Sequence, residues 1–88
     1  MPSDNNFHCR VCGYLPEMPP WGGDGQSPTY EICPCCGVEY GYEDSTVSSV
    51  KKYRDEWADA GYKWQDVNAK PKFWNLEDQL KRIPEIFL

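Results

Sequence analysis

Five cysteines stand in the first half of this 88-residue chain, and four of them fall into two copies of one short pattern. The copies are Cys9-Arg10-Val11-Cys12-Gly13 and Cys33-Pro34-Cys35-Cys36-Gly37, with twenty residues between Cys12 and Cys33. Two thiolates three residues apart can meet one tetrahedral ion across a tight turn, and the glycine that follows tolerates the positive φ of such a turn. Two of these knuckles complete a four-sulfur shell from Cys9, Cys12, Cys33 and Cys36. A shell filled entirely by protein suits a structural zinc ion (Zn2+), one per chain, because a catalytic ion keeps a position open for water or substrate.

Pairing Cys33 with Cys36 puts Gly37 directly after the second ligand, which leaves Cys35 as the extra thiol, expected at the tip of the turn. There it is either a small, partly buried side chain or an exposed, oxidisable one. His8, the single histidine, lies beside Cys9, but four thiols already fill the shell. Without a second histidine there is no Cys/His/Asp arrangement for nucleophilic catalysis. Gly22-Gly23-Asp24-Gly25 lacks the lysine and the helix of a phosphate loop. Glycine after both cysteine pairs disfavours the helix on which a thiol-disulfide oxidoreductase presents its motif. The chain is expected to be no enzyme.

The elements that must position these cysteines can be read from periodicity. Val38, Tyr40 and Tyr42 alternate with Glu39, Gly41 and Glu43 as in a half-buried strand, and Thr29 to Ile32 offers a partner, so the pattern predicts a small antiparallel sheet around the metal. The Pro- and Gly-rich stretch 16–28 is a loop, with Trp21 as its anchor. From Val47 the apolar spacing becomes helical through Val50, Tyr53 or Arg54, Trp57 and Ala58. Asp44, Ser45 or Thr46 is the N-cap and Gly61 the residue past the end. Residues 62–74 look irregular. Asn75, with Asp78 three residues on, starts a short helix that Pro84 stops near Ile83, turning Leu76, Leu80 and Ile83 inward. The expected fold is thus α+β: one domain over 1–88, with a zinc-ribbon-like knuckle module at 7–44 and a helical, aromatic part at 45–88. Met1 to Asn6 is polar and expected to fray.

A chain this short buries a modest share of its surface, so a metal is a common supplement to its core. Forty per cent hydrophobic and 15% aromatic residues are too many for a disordered chain. No apolar run is long enough to span a bilayer, and Met1 to Asn6 lacks the features of a secretory signal, so the expected compartment is the cytoplasm. An odd number of cysteines in metal-like pairs fits that reducing setting. The net charge of −5 is uneven: residues 1–46 hold seven acids and one base, residues 47–88 seven acids and eight bases. Four thiolates on a dication add two more negative charges to the acidic half, which turns it away from nucleic acid and toward a basic protein partner. Asp24, Glu31, Glu39, Glu43 and Asp44 would form that face. Lys63, Lys70 and Lys72 among Trp64, Phe73 and Trp74 resemble a single-strand platform, but the overall charge favours a solvated loop over packed aromatics.

The two knuckles also resemble those of rubredoxins, whose four-cysteine site holds redox-active iron; the likeness covers Cys9 to Gly13 and Cys33 to Gly37 and makes iron electron transfer the alternative function. More specific is the string Cys33-Pro34-Cys35-Cys36 with Cys9-Arg10-Val11-Cys12-Gly13-Tyr14 before it and an acidic stretch and amphipathic helix after it. In this the chain resembles the small bacterial cysteine-rich CPCC-domain proteins, from about Phe7 to Gly61. The resemblance implies a zinc-ribbon-like metal site in a bacterial cytoplasm. Proteins of this kind can occur beside toxin genes as immunity factors, which extends the reading of a metal-stabilised protein-binding module to toxin neutralisation.

Overall fold

In the computed structural model, which describes residues 7–88, the cysteine half is built from turns, and the expected antiparallel sheet is absent. Among the described residues the strand-like pairing amounts to one antiparallel bridge, Ile32 with Glu39. The Cys33 amide donates to the Val38 carbonyl at 2.9 Å and the Tyr40 amide to the Glu31 carbonyl at 3.0 Å. The α+β, zinc-ribbon-like expectation is therefore corrected to helices, 3-10 turns and loops. The reason is local. After Tyr40 the Tyr42 and Glu43 amides both turn back to the Glu39 carbonyl, at 3.2 and 3.3 Å, and Gly41 takes φ +93° with its amide held by the Asp44 carboxylate at 2.6 Å. On the other side Tyr30 sits at φ +60° between Pro28 and Pro34, so neither segment stays extended. Val38 and Tyr40 are buried as expected, but Tyr42 is 74% exposed. The expectation for Met1 to Asn6 lies outside the described residues.

The helical half follows its sequence signals, except that the second helix ends at Leu80 and not near Ile83. Helix α1, Val47–Asp59, starts at Thr46, whose hydroxyl accepts from the Ser49 amide at 3.1 Å. It ends in a Schellman motif: the Gly61 amide donates to Ala58 and the Tyr62 amide to Trp57, with Gly61 at φ +92°. The apolar contact that accompanies such an ending is present as an edge-to-face pair of Trp57 and Tyr62, ring centroids 5.0 Å apart. Residues 62–74 contain one 3-10 turn, Val67–Ala69. Helix α2, Leu76–Leu80, is capped by the Asn75 side chain, which accepts from the Asp78 amide at 3.0 Å, and a last 3-10 turn, Glu85–Phe87, follows Pro84.

The core is the cysteine cluster itself, wrapped by aromatic and aliphatic side chains. All five cysteines are buried together with Val11, Val38, Tyr40, Val50, Trp57 and Trp64. Trp64 stands edge-to-face with both Tyr14 and Trp74, so two of the three aromatics of the apparent single-strand platform are packing residues; only Phe73 is left in solvent.

Helix α1 carries the core contacts of Val50 and Trp57, so its cap bears on the whole fold. Replacing Thr46 by Ala leaves the Ser49 amide without its side-chain acceptor and should cost about 1 kcal/mol, read as a lower denaturation midpoint with unchanged slope.

Candidate metal centre

The two knuckles adopt one geometry. In the first, the Gly13 amide donates to the Cys9 carbonyl at 2.9 Å and the Cys9 amide to the Tyr14 carbonyl at 2.7 Å. In the second, the Gly37 amide donates to the Cys33 carbonyl and the Cys33 amide to the Val38 carbonyl, both at 2.9 Å. Gly13 and Gly37 each take φ +84°, which a side chain at either position would strain. At Gly13 a Cβ would also overlap the Gln79 carbonyl, because α2 packs directly on that turn.

These turns bring the sulfurs of Cys9, Cys12, Cys33 and Cys36 within 4.8 Å of one another, all four buried. No disulfide links them. Cys9 and Cys36 are 3.7 Å apart and Cys12 and Cys33 3.6 Å. Four thiolates at about 2.3 Å from a tetrahedral ion would stand about 3.8 Å apart, close to both of these separations, so the cluster could hold a metal ion. Donor chemistry points the same way. Burial raises the Cys12 thiol well above its ordinary range, and hydrogen bonds from the neighbouring thiols raise it further; burial also drives Cys36 and Cys9 up. At Cys33 burial acts upward too, but hydrogen bonds from Cys12, Cys36 and Cys9 outweigh it and bring the thiol well down. Burial thus favours protonated thiols across the cluster, and a bound cation would displace those protons. The Tyr40 hydroxyl, buried with no hydrogen-bond partner among the described residues, is kept protonated by burial and by the charges of Cys9 and Cys33, and a thiolate would give it an acceptor.

Around the sulfurs, side chains from the second half hold the knuckle backbone. Arg54 on α1 donates from Nε to the Val11 carbonyl at 2.7 Å, and from Nη2 to the carbonyls of Arg10 at 2.9 Å and Phe87 at 2.6 Å. The Tyr53 hydroxyl donates to the Cys36 carbonyl at 3.3 Å. Gln79 on α2 donates from Nε2 to the Cys12 carbonyl at 3.0 Å and to the Cys35 sulfur at 3.2 Å, while its Oε1 accepts from Trp74 Nε1 at 2.7 Å. The backbone amides of Gln65 and Asp66 donate to the carbonyls of Cys35 and Pro34, each at 2.9 Å.

One open choice closes here and one expectation changes. Of its two alternatives Cys35 takes the buried one, fully enclosed under Gln79, so it is no accessible reactive thiol. Asp44 does not belong to a solvated acidic face: it is buried, accepting from Trp21 Nε1 at 3.0 Å and from the Gly41 amide. Trp21 is therefore the anchor of its loop, and Arg10 lies over its ring at 4.0 Å and over Phe87 at 4.5 Å. Gln79 escaped the sequence reading, and Arg54 entered it only as the alternative to Tyr53 on the helical stripe, with no role at the cysteines, although their spacing held the signal. Gln79 completes the inward stripe of Leu76, Leu80 and Ile83, and Arg54 stands four residues after Val50 on the buried face of α1.

No family model matches this chain, which leaves the CPCC resemblance without support from that comparison, and no solved structure matches it. Two proteins of Bacillus subtilis (strain 168) do match. Uncharacterized protein YozI is 33% identical over 91 residues, covering 85% of this chain and 75% of its own length. Uncharacterized protein YoaQ is 35% identical over 91 residues, covering 85% of this chain and 71% of its own.

The proton-laden cluster sets the sign of its pH dependence. An ion that displaces protons from Cys9, Cys12 and Cys36 binds more weakly as the pH falls, so a Cd2+ titration followed by thiolate absorbance should show declining affinity from pH 8 to about pH 5. Gln79→Leu separates the support from the ligands. It strands Trp74 Nε1 and the Cys12 carbonyl and should cost about 1–3 kcal/mol of stability, with the number of ions bound per chain unchanged.

Proposed function

As this chain belongs to the family of YozI and YoaQ, we propose that it is a non-enzymatic, zinc-stabilised module for binding another protein, with Cys9, Cys12, Cys33 and Cys36 as the four ligands of one structural ion. The observation that carries the reading is the closed shell: four buried sulfurs spaced for a tetrahedron, with the surrounding carbonyls tied down by Arg54, Tyr53 and Gln79. Such an ion would have no position left for water or substrate, and the chemistry it supplies is cross-linking of the two knuckles. Arg10 and Arg54, half-buried beside Cys9, would offset the two negative charges of a four-thiolate dication site. Neutralisation of a toxin, in a bacterial cytoplasm, is the narrower form of this proposal and rests on the CPCC resemblance.

Iron electron transfer is the second reading, favoured by the matched geometry of the two knuckles. Metal analysis of the purified protein decides between them: a colourless preparation with one zinc per chain is expected, and a red, reducible one would sink the structural-zinc reading. Each of the four single Cys→Ser variants should lose metal and stability. A chelator should unfold the native protein, because zinc binding in small zinc peptides is worth roughly 10–16 kcal/mol, as much as a domain's whole margin.

A further inference from the structure

The bridge between Ile32 and Glu39 is flanked by the two hydrogen bonds of its neighbours, which makes it a non-hydrogen-bonded pair. In such a pair the amide and carbonyl of each residue point away from the partner strand. On the Glu39 side they are used at once: the amide donates to the Glu43 carboxylate at 3.5 Å, and the carbonyl accepts from Tyr42 and Glu43. On the Ile32 side nothing among the described residues pairs with either group, and the residue is exposed. The pairing here is one bridge and not a strand, but an exposed amide and carbonyl left unpaired beside it can still take up the backbone of another chain.

Ile32 also lines a groove of about 430 Å³, whose floor and walls include Tyr14, Pro16, Met18 and Pro34. Three carboxylates, Glu17, Glu31 and Asp66, stand around this apolar surface, and no lysine or arginine lines it. Glu17 and Glu31 are exposed, and their carboxylates have no partner among the described residues. Tyr30, two residues before Ile32, is held at φ +60° and exposes its ring, so the edge is presented by backbone in an uncommon conformation for a non-glycine residue.

We propose that this groove receives an extended, cationic segment of a partner protein, which pairs with the Ile32 amide and carbonyl as an added strand. The inference rests on the protein-binding reading above and gives it a surface. Main-chain hydrogen bonds to Ile32 hold the segment, alternate apolar side chains enter between Pro16, Met18 and Pro34, and lysine or arginine side chains meet Glu17, Glu31 and Asp66. The acidic partner face thus lies on the Glu17 and Glu31 side of the molecule, away from the buried Asp44.

The test uses the metal-loaded full chain and two short fluorescent peptides, one alternating lysine with valine and one alternating glutamate with valine. The basic peptide should bind in an anisotropy titration that weakens with added salt, and the acidic one should not. Amide exchange at Ile32, followed by NMR, should slow on binding. The exposed double variant Glu17→Lys, Glu31→Lys should weaken binding about tenfold. The proposal is overturned if the basic peptide fails to bind, if it binds without protecting the Ile32 amide, if it binds the double variant equally well, or if sedimentation finds that edge covered by a second copy of the chain. Metal content measured on the same samples keeps the two readings apart: zinc-loaded protein that fails these tests refutes the groove alone, whereas protein without zinc refutes the metal reading whatever the peptides do.

Discussion

Four buried sulfurs within 4.8 Å of one another, paired at 3.6 and 3.7 Å, cannot all carry charge unless a cation stands among them, and the rest of this structure is organised around that constraint. The thiols occupy the place where a domain of this size would ordinarily put leucine and isoleucine. Among the described residues they are joined there by only a few large apolar side chains, chiefly Val38, Tyr40, Val50, Trp57 and Trp64. Burial keeps protons on most of the sulfurs when no ion is present, and an ion would turn that compromise into a cross-link between two segments twenty residues apart.

The polar side chains of the second half make sense against this background. Tight knuckles leave carbonyls facing inward, and a buried carbonyl without a donor costs of order 1–3 kcal/mol. Arg54, Tyr53 and Gln79 supply donors from two helices, so the helices do not simply cover the site: they satisfy it. Arg10 and Arg54 bring positive charge to the same neighbourhood, and Arg10 is itself held between the rings of Trp21 and Phe87. The cysteine cluster and the helical half are one interlocked structure.

How much of this was legible beforehand follows from the range of the interactions. The cysteine spacing, the glycine after each pair, a helix cap among Asp44, Ser45 and Thr46, the Asn75 cap and the Gly61 ending are all short-range signals, each readable from neighbouring residues. The sheet was misread because alternation in Val38, Tyr40 and Tyr42 is a necessary sign of a strand and not a sufficient one. Gly41 and the Asp44 carboxylate turn the chain two residues too early, and the Asp44 side chain was counted as surface charge. Cys35 and Gln79 were missed as a pair because they meet across forty-four positions. A polar residue on an apolar helical stripe, such as Gln79, is itself the sign of a buried donor.

Arg54 joins three carbonyls that belong to residues 10, 11 and 87, separations of 44, 43 and 33 along the chain. A guanidinium shared in this way ties the cooperativity of unfolding to one side chain. The set of three bonds is complete only when both segments have converged on α1, each after the entropy of closing its own loop has been met. Once either end departs, Arg54 is left half-buried with unmatched donors, and the other end loses its hold as well. Opening of either segment alone is thereby penalised.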